Sequence, residues 1–492
     1  MTTSLTDRAA QYGRFEVDGR LEPLRRLELL CDEGSLHVIR SEAASRRMGE
    51  KARAGDGVVG AAGLIDGRPV FCYAQDAGFA GGSLGEVHAD TIVRIMRLAG
   101  EAKAPVIGFI ESGGARMQEG IAALGGYARI FRENVALSGR VPQISIITGT
   151  SAGGGSYSPA LTDFVVMTED ARMFLTGPGV VEEVIGESVS TEDLGGSGVH
   201  ERNGVCQFVV RSDIDSIFLA RQIVSYLPQS ADTVPALVEA IEAADEDPGR
   251  HVPDDPRTVY DVRDVIGSVV DDDSLLEVSA KWARNLVTAF ARIEGRSVGV
   301  IANQPRYLGG TLDADTAQKG ARFVRTCNTY GLPLVVLVDT VGFMPGTRQE
   351  SAGVIRHGAK LLHAFAEATV PRLTVVLRKA YGGAYITMNS KDLGADFAFA
   401  WPQAEIGIMG AKQAVGIVNR RQLAASDDPT GERDRLAEDY GEEHLRASVA
   451  ARDGFIDEVI EPADTRARLA WALRTLSGKR GVRGGEGGNI PL

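Results

Sequence analysis

The chain has 492 residues, of which 44% are hydrophobic and 24% are charged, and its formal net charge is −13. That length is too great for one ordinary hydrophobic core, so two large domains or a few smaller ones are expected. The acidic balance and the lack of a dense Lys/Arg run argue against a nucleic-acid-binding protein. Net charge does not exclude a local basic pocket for a phosphorylated ligand.

The start of the chain, MTTSLTDRAAQYG, lacks the apolar core of a signal peptide. The sequence contains no run of about 18 apolar residues, the length that a membrane-spanning helix needs. None of the four cysteines belongs to a C-x-x-C pair, so we expect buried small side chains and neither disulfides nor zinc ligands. They are Cys31, Cys72, Cys206 and Cys327. We therefore expect a cytoplasmic protein with no metal site and no membrane partner.

The chain begins with a helical pattern up to about residue 50, in which LEPLRRLELL places apolar residues at helical spacing. From Val58 onwards, strand-like runs such as GRPVFCYAQ, APVIGFIE and VPQISIITG alternate with helical runs. Nearly continuous apolar strands are typical of an α/β fold with a buried sheet. Residues 228–258 contain several prolines and an acidic cluster, which indicates an inter-domain segment.

The second half of the chain repeats the first. Three pairs of segments share an offset of 228 residues, the distance from Ile65 to Ile293, and a fourth pair is shifted by one more. The pairs are IDGRPV with IEGRSV, FAGGSL with YLGGTL, APVIGFIES with LPLVVLVDT, and VPQISIITGTSAGGGSY with VPRLTVVLRKAYGGAY. Four segments in the same order at a nearly constant offset indicate two copies of one α/β domain.

Each copy places a glycine-rich turn directly after an apolar strand. The turns are Gly153-Gly154-Gly155 and Gly382-Gly383-Ala384. Small residues there let backbone N–H groups face a ligand, and a following helix adds the positive end of its dipole. Such a turn can stabilise a developing oxyanion. The alternative interpretation is that each turn is only a close-packed connection between strand and helix, without a ligand. Two related turns in a duplicated chain favour this alternative less than a single turn would.

Residues 149–153 fit the G-x-S-x-G nucleophile elbow of α/β-hydrolases, with Ser151 as the candidate nucleophile. The repeat argues against this interpretation, because the position equivalent to Ser151 is Ala380. A hydrolase also needs a positioned histidine, and none of the seven histidines lies in a segment that singles it out. Neither a P-loop, nor H-E-x-x-H, nor G-x-G-x-x-G is present. We interpret Ser151 as a serine that the turn tolerates.

Longer motifs resemble the β subunits of propionyl-CoA and acetyl-CoA carboxylases. They are FAGGSLGEVHAD (79–90), ESGGARMQEG (111–120), SAGGGSYSPALTDFVVM (151–167), FLTGP (174–178), DTVGFMPG (339–346), RKAYGGAY (378–385), AWPQAEIGIMGA (400–411) and GFIDEVI (454–460). The resemblance covers about residues 20–470. On these motifs the chain is identified as a member of the biotin-dependent acyl-CoA carboxylase family, as its carboxyltransferase subunit.

The resemblance implies two tandem crotonase-like domains, each a β-β-α superhelix: residues 1–245 on the acyl-CoA side and 246–492 on the carboxybiotin side. It implies dimers in which the N-terminal half of one subunit and the C-terminal half of another form the active site, or hexamers built from them. The chain lacks the A-M-K-M biotin attachment motif and an ATP-binding signature. Its partner would therefore be a separate subunit with biotin carboxylase and the biotin carrier. The four-cysteine zinc ribbon of some bacterial relatives is also missing.

For the reaction, the resemblance implies transfer of CO2 from carboxybiotin to the α-carbon of a short acyl-CoA. The first turn would hold the thioester enolate, and Gly383 with Ala384 would hold the ureido oxygen of biotin. The biotin nitrogen can take the α-proton, so no protein base is required. The residues expected to contact the substrates or make their surroundings apolar are Gly113, Gly114, Ala115, Arg116, Tyr157, Phe174, Ile386 and Trp401. Arg116 would contact a CoA phosphate or form a structural ion pair, and the sequence leaves both open.

In this family the position of Ile386 lines the acyl pocket, where propionyl-preferring members tend to have Asp and acetyl-accepting members Ile. Ile386 therefore predicts that acetyl-CoA is carboxylated to malonyl-CoA, and that propionyl-CoA is also accepted to give methylmalonyl-CoA. One rival function is a crotonase-type acyl-CoA hydratase or isomerase, with Glu111 and Glu119 as acid and base. The others are the subunit of a biotin-dependent decarboxylase in a membrane complex, and a scaffold without activity.

Overall fold

The computed structural model describes residues 20–245 and 247–479. The N-terminal stretch that was tested for a signal peptide lies outside them. The described residues form two compact units, 20–236 and 237–479, and the boundary between them lies in the predicted inter-domain segment 228–258. None of the helices that the structure describes has the length and apolar character needed to cross a membrane.

The first unit is built on one eight-stranded sheet with helices packed against it. Its strands are β1 (His37–Ile39), β2 (Val58–Ile65), β3 (Arg68–Gln75), β4 (Val106–Ser112), β5 (Gln143–Ala152), β6 (Phe164–Thr168), β7 (Arg172–Phe174) and β8 (Phe208–Val210). Its helices are α1 (Pro23–Leu30), α2 (Glu86–Ala102), α3 (Ile121–Leu137), α4 (Gly154–Ala160), α5 (Pro178–Ile185), α6 (Thr191–Gly195), α7 (Ser197–Asn203) and α8 (Asp213–Tyr226). Short 3-10 turns cover Arg46–Lys51, Ala80–Gly82 and Met117–Glu119.

The strand order in this sheet follows the chain: β1-β2-β3-β4-β5-β6-β8, with β7 beside β5. The first three strands pair antiparallel, and the strands from β3 onwards pair parallel. A hairpin followed by a helix and a parallel strand is the β-β-α unit that the motifs led us to expect. All of β4 and most of β5 are buried, which explains why their sequences are apolar without alternation.

The predicted N-terminal helix begins in residues 1–19, which lie outside the described residues; from residue 20 onwards it is confirmed only as α1. Beyond it, the prediction of helix up to about residue 50 was wrong, because the chain forms β1 and a 3-10 turn there. The cause is a tertiary contact of Asp32, whose carboxylate accepts hydrogen bonds from the backbone N–H groups of Asp66 (3.0 Å) and Gly67 (2.8 Å). These contacts tie the end of α1 to the tip of the β2–β3 hairpin.

The second unit is built on a sheet of the same kind. Its strands are β9 (Leu276–Val278), β10 (Leu286–Ile293), β11 (Arg296–Asn303), β12 (Leu334–Thr340), β13 (Arg372–Tyr381), β14 (Phe397–Ala400), β15 (Glu405–Gly407) and β16 (Glu458–Val459). Its helices are α9 (Val262–Gly267), α10 (Ala314–Thr329), α11 (Thr347–Ser351), α12 (Val354–Glu367), α13 (Gly382–Thr387), α14 (Ala411–Val418), α15 (Arg420–Ala424), α16 (Pro429–His444), α17 (Ala447–Arg452) and α18 (Thr465–Thr475). Short 3-10 turns cover Pro248–His251, Leu308–Gly310 and Pro462–Asp464.

The predicted duplication is confirmed at the level of the backbone. The second sheet runs β9-β10-β11-β12-β13-β14-β16 with β15 beside β13, which repeats the first sheet strand for strand. Equivalent turn residues share a left-handed conformation: φ is +49° at both Asp66 and Glu294, and it is +60° at Gly153 and +57° at Gly382. Asp66 and Glu294 are not glycines, and a positive φ is uncommon for such residues. Its recurrence at equivalent positions supports the duplication.

Candidate active site

The first glycine turn connects β5 to α4. Gly153 has φ +60° and ψ −126°, and its N–H donates to the carbonyl oxygen of Phe174 over 3.1 Å. The helix begins at Gly154, so the N–H groups of Gly154 and Gly155 belong to a first turn, where the helix itself offers no acceptor. Of the three residues predicted as oxyanion donors, Gly153 is thus already used by the fold, and Gly154 is the first one left for a ligand.

The second glycine turn connects β13 to α13 in the same way. Gly382 has φ +57°, Gly383 is exposed, and Ala384 is buried. The N–H groups of Gly383 and Ala384 lie in the first turn of α13 and have no partner within the helix. Two adjacent donors at the positive end of a helix can hold one oxyanion.

Two large apolar side chains stand beside the glycine turns in equivalent positions. Tyr157 follows Gly154 by three residues, and Ile386 follows Gly383 by three, so each lies on the same helix face as its glycine. Tyr157 is 52% exposed and Ile386 48% exposed. The structure therefore places both predicted substrate residues where a ligand of the turn could contact them. Phe174 is only partly buried and belongs to the first turn through its carbonyl oxygen.

The predicted loop from Gly113 to Ala115 follows β4 and lies next to the first turn. A Cβ atom added to Gly114 would lie 3.6 Å from the carbonyl oxygen of Ala152, the last residue of β5. The N–H of Gly113 donates to the carbonyl oxygen of Gly81 over 3.1 Å, and Gly113 is exposed. This glycine-rich loop thus lies beside the first glycine turn.

Arg116 belongs to the interior and not to a phosphate site. Its Nη1 atom lies 2.7 Å from Oδ1 of Asp56 and 2.9 Å from Oε1 of Glu119, and all three side chains are fully buried. Its Nη2 atom donates to the carbonyl oxygens of Ser83 and Asp56. Of the two alternatives that the sequence left open, the structure shows the ion pair. Burial acts to raise the pKa of Glu119, but the hydrogen bonds that it accepts, including those from Arg116 and Ser45, hold that pKa below its usual value.

The expectation that Trp401 lines the site was wrong. Trp401 is fully buried in the hydrophobic core of the second unit. Its indole N–H donates to the hydroxyl of Thr465 over 2.9 Å. A buried indole whose N–H group has a hydrogen-bond partner is typical of a core side chain. The sequence motif around Trp401 gave no indication of this burial.

The two carboxylates proposed for hydratase chemistry are not free to act as acid and base. Oε1 of Glu111 accepts from Nη2 of Arg26 (2.9 Å) and from the hydroxyl of Thr148 (2.9 Å). Glu119 is held by Arg116, as described above. A general acid or base must reach the proton it transfers, and both of these side chains are buried and occupied by the fold.

Ser151 does not form a nucleophile elbow. It lies within β5, pairs with Ser112 and Met173 in the sheet, and is fully buried. An added Cβ atom on Gly155 would lie 2.8 Å from its Oγ atom, so the hydroxyl is enclosed by the turn and not presented on it. A nucleophile elbow needs an exposed Oγ.

Sequence reasoning missed Asp339, a buried acid of the second unit. Asp339 is the second-last residue of β12, at the position equivalent to Glu111, and its Oδ2 atom accepts from Nε of Arg378 (3.1 Å) and from the hydroxyl of Tyr260 (2.9 Å). Glu111 is paired with Arg26 in the first unit. The signal was present in the repeat, since APVIGFIES and LPLVVLVDT align an acid with an acid. Burial is the dominant influence and raises the pKa of Asp339.

Duplicated α/β units with backbone N–H groups at equivalent helix starts are an arrangement that can stabilise an oxyanion. Residues 16–483 match the family model described as carboxyl transferase domain. The chain is 47% identical over 484 residues to the propionyl-CoA carboxylase carboxyltransferase subunit of Haloferax mediterranei, covering 96% of this chain and 94% of that one. It is 44% identical over 500 residues to the biotin-dependent acetyl-/propionyl-coenzyme A carboxylase beta5 subunit of Mycobacterium tuberculosis, covering 97% and 91%.

A crystal structure of transcarboxylase 12S superposes with a TM-score of 0.91 at 43% identity, covering 100% of this chain and 99% of that one. The chain therefore belongs to the carboxyl transferase family, among the carboxyltransferase subunits of biotin-dependent acyl-CoA carboxylases that its motifs resemble. The predicted fold of two tandem crotonase-like domains is confirmed with it.

Proposed function

We propose that this chain transfers a carboxyl group from carboxybiotin, carried by a partner subunit, to the α-carbon of a short acyl-CoA. The observation behind this proposal is the pair of equivalent glycine turns, each with backbone N–H groups at the start of a helix. The names of the relatives support it, since they are subunits of propionyl-CoA and acetyl-/propionyl-CoA carboxylases. The crystal structure of transcarboxylase 12S contains methylmalonyl-CoA.

On the acyl-CoA side, assigned to the first domain (1–245), the N–H groups of the first turn stabilise the charge that develops on the thioester oxygen when the α-carbon becomes nucleophilic. Gly154 is the primary donor, because the N–H of Gly153 is bonded to Phe174. Oxyanion donors of this kind are typically worth 10²–10³ in rate. Tyr157 and Phe174 supply apolar walls, and the loop from Gly113 to Ala115 closes the other side.

On the carboxybiotin side, assigned to the second domain (246–492), Gly383 and Ala384 hold the ureido oxygen. Biotin supplies the carboxyl group in activated form when its carrier is bound. The exposed Gly383 admits a ligand to the turn, and its small size lets the ligand approach the N–H groups closely. An apolar neighbour, Ile386, keeps water away and so favours release of CO2. No protein nucleophile or base is needed, which agrees with the buried positions of Ser151 and Glu111.

We propose acetyl-CoA and propionyl-CoA as the substrates. Ile386 supports acetyl-CoA, since acetyl-accepting relatives tend to have Ile at this position. The names of the relatives give more weight to propionyl-CoA. One methylene in an apolar pocket is worth about 1–3 kcal/mol, so we expect a preference between the two substrates and not exclusion of either.

We further propose that the chain works as a homo-oligomer, as a hexamer built from dimers, together with a biotin carboxylase and biotin carrier subunit. The hexamer assembly of transcarboxylase 12S supports the oligomer. The description of the Mycobacterium tuberculosis relative as biotin-dependent supports the biotin partner. All four cysteines are buried free thiols, which suits a reducing, cytoplasmic location.

The experiment is to mix the purified chain with a biotinylated carrier and its biotin carboxylase, and to follow incorporation of labelled bicarbonate into acetyl-, propionyl- and butyryl-CoA with ATP. We expect incorporation only when all components are present. A carrier without biotin is the control. Incorporation by the chain alone, or hydration of an enoyl-CoA by the chain, would contradict the proposal.

A further inference from the structure

The first unit contains a buried hydroxyl pair that the proposed reaction does not use. Tyr127 lies on α3 and is only 5% exposed. Its hydroxyl oxygen lies 3.0 Å from Oγ of Ser112, the last residue of β4. Neither residue belongs to a motif for acid–base chemistry, and nothing in the sequence pairs them.

This pair is connected to the loop after β4. The N–H of Gly114 donates to Oγ of Ser112 over 3.2 Å. The hydroxyl of Ser112 therefore stands between Tyr127 and the loop from Gly113 to Ala115. If the hydroxyl of Tyr127 were absent, Ser112 would lose one of the two contacts that orient it.

The same tyrosine also contacts the first glycine turn. A Cβ atom added to Gly154 would lie 2.7 to 2.9 Å from three atoms of the Tyr127 ring, so the ring packs directly against the glycine backbone. A Cβ atom added to Gly155 would lie 3.2 Å from Cβ of Ser112. Burial raises the pKa of Tyr127, while hydrogen bonds from Ser112 and from the backbone of Gly155 act in the opposite direction. Tyr127 thus contacts both glycine-rich segments of the first site.

The second unit shows what the same place looks like without this hydroxyl. Thr340 and Gly342 repeat the Ser112–Gly114 contact, with the N–H of Gly342 3.3 Å from Oγ1 of Thr340. The ring nearest to a Cβ atom added to Gly383 is Phe343, at 3.8 Å, which is an ordinary contact. The hydroxyl is therefore a feature of the first turn and not a general requirement of the repeat.

We infer that Tyr127 is a positioning residue for carboxyl transfer, which acts with Ser112 to hold the first glycine turn against the neighbouring loop and so sets the direction of the Gly154 N–H. The inference rests on the proposed role of that turn as the site of the thioester oxyanion. A donor that is preorganised for the developing charge, and not for the ground state, affects the chemical step more than binding.

The test is Tyr127→Phe, which keeps the ring and removes the hydroxyl. We expect kcat for acyl-CoA carboxylation to fall about tenfold, the scale of one hydrogen bond, while KM for acyl-CoA changes less than about threefold. Ser112→Ala should give the same pattern without touching the ring. The double variant should be no slower than the slower single variant, because the two hydroxyls act as one unit.

Tyr73→Phe is the matched control, since Tyr73 is another buried tyrosine of the first unit, on β3. It should leave kcat unchanged even if its melting temperature falls as much as that of Tyr127→Phe. If Tyr127→Phe and Ser112→Ala both keep the wild-type kcat, or if Tyr73→Phe loses as much kcat as Tyr127→Phe, the inference is overturned. The proposed function is not affected by either result. If the wild-type chain does not carboxylate acyl-CoA in this assay, the proposed function fails and the inference fails with it.

Discussion

Nη1 of Arg116 lies 2.7 Å from Oδ1 of Asp56, and neither side chain is exposed to solvent. The arginine lies next to the glycine loop that ends β4, where a positive charge would suit a CoA phosphate. Its contacts instead connect that loop to the segments around residues 56 and 83. The guanidinium group is therefore neutralised by buried carboxylates, and replacing Arg116 should affect the stability of the protein.

Arg116→Met should destabilise the protein by about 3–5 kcal/mol, because it leaves the carboxylates of Asp56 and Glu119 buried without their partner. Urea unfolding would measure this. Arg129→Met is a suitable control: its pair with Asp90 is partly exposed to solvent, so its loss should cost about 1 kcal/mol or less. An Arg116→Met protein with normal stability and a KM for acyl-CoA raised tenfold would restore the phosphate-binding interpretation.

Lys319 predicts a pH dependence of stability. It is buried on α10, its Nζ donates to the carbonyl oxygens of Trp282 and Leu286, and burial lowers its pKa to about 7. Between about pH 7 and the ordinary lysine value of about 10.4, the unfolded chain binds a proton that the native chain lacks. The contribution of Lys319 to the free energy of unfolding therefore increases with pH across this window.

The variant that tests this is Lys319→Met. The free energy of unfolding of the wild type minus that of Lys319→Met should rise by a few kcal/mol from pH 7 to pH 10. The loss of the two hydrogen bonds adds a constant to this difference and does not change its slope with pH. Lys103→Met, at an exposed lysine paired with Asp232, should show no such slope. A flat difference for Lys319→Met would mean that the amine stays charged in the native protein.

The second glycine turn predicts a graded steric effect. A Cβ atom on Gly383 meets only an ordinary contact with Phe343, so both Gly383→Ala and Gly383→Val should fold. Gly383→Val should lose more than the 10²–10³-fold that one oxyanion donor is worth, because the branched side chain fills the ligand space. Gly383→Ala should lie between it and the wild type. Carboxylation assays on variants with matched circular dichroism spectra would check this. Near-normal rates for Gly383→Val would show that the second glycine turn does not hold the ligand.

The same substitution at the first turn should behave differently. A Cβ atom on Gly154 would lie 2.7 Å from the buried ring of Tyr127, closer than real atoms approach. Gly154→Val is therefore expected to lose stability as well as activity, which makes Gly383 the cleaner position. A Gly154→Val protein as stable as the wild type would show that the ring can move away.

The sequence predicts the α/β fold because β4, β5, β12 and β13 are rich in apolar residues and because the repeat aligns them. It also predicts both glycine turns, since the spacing of small residues is visible without tertiary contacts. It does not predict the ion pair of Arg116 with Asp56, because Asp56 lies sixty residues earlier and no local pattern joins them. Trp401 donates a hydrogen bond to Thr465, which is equally remote in the chain.

The predicted helix at residues 31–50 fails for the same physical reason. Helical spacing is a local property, whereas Asp32 is held by the backbone of the hairpin turn at Gly67. Tyr127 gives no local signal either, because a tyrosine on an apolar helix face is ordinary. What the sequence misses are the side chains whose roles are set by residues distant in the chain.

Ser151→Ala should keep most of the carboxylation activity. Its hydroxyl is buried within β5, and the proposed chemistry uses backbone N–H groups. The measurement is kcat with the same carrier and acyl-CoA. A loss of about 10⁴-fold, the scale seen when a member of a catalytic triad is removed, would contradict the oxyanion-turn mechanism and favour a serine nucleophile.

Ile386 should set the preference between acetyl-CoA and propionyl-CoA. It is half-exposed, three residues after Gly383 on α13, so its side chain borders the turn that holds a ligand. Ile386→Asp makes this position polar and smaller, as in propionyl-preferring relatives, and the backbone donors stay in place. We expect the ratio of kcat/KM for propionyl-CoA over acetyl-CoA to rise about tenfold or more, within the range that one methylene allows. Ile417→Asp, at another exposed isoleucine of the same unit, should leave the ratio unchanged. If the wild-type enzyme ignores acetyl-CoA, or if Ile386→Asp leaves the ratio as it was, Ile386 is not the determinant and propionyl-CoA becomes the principal substrate.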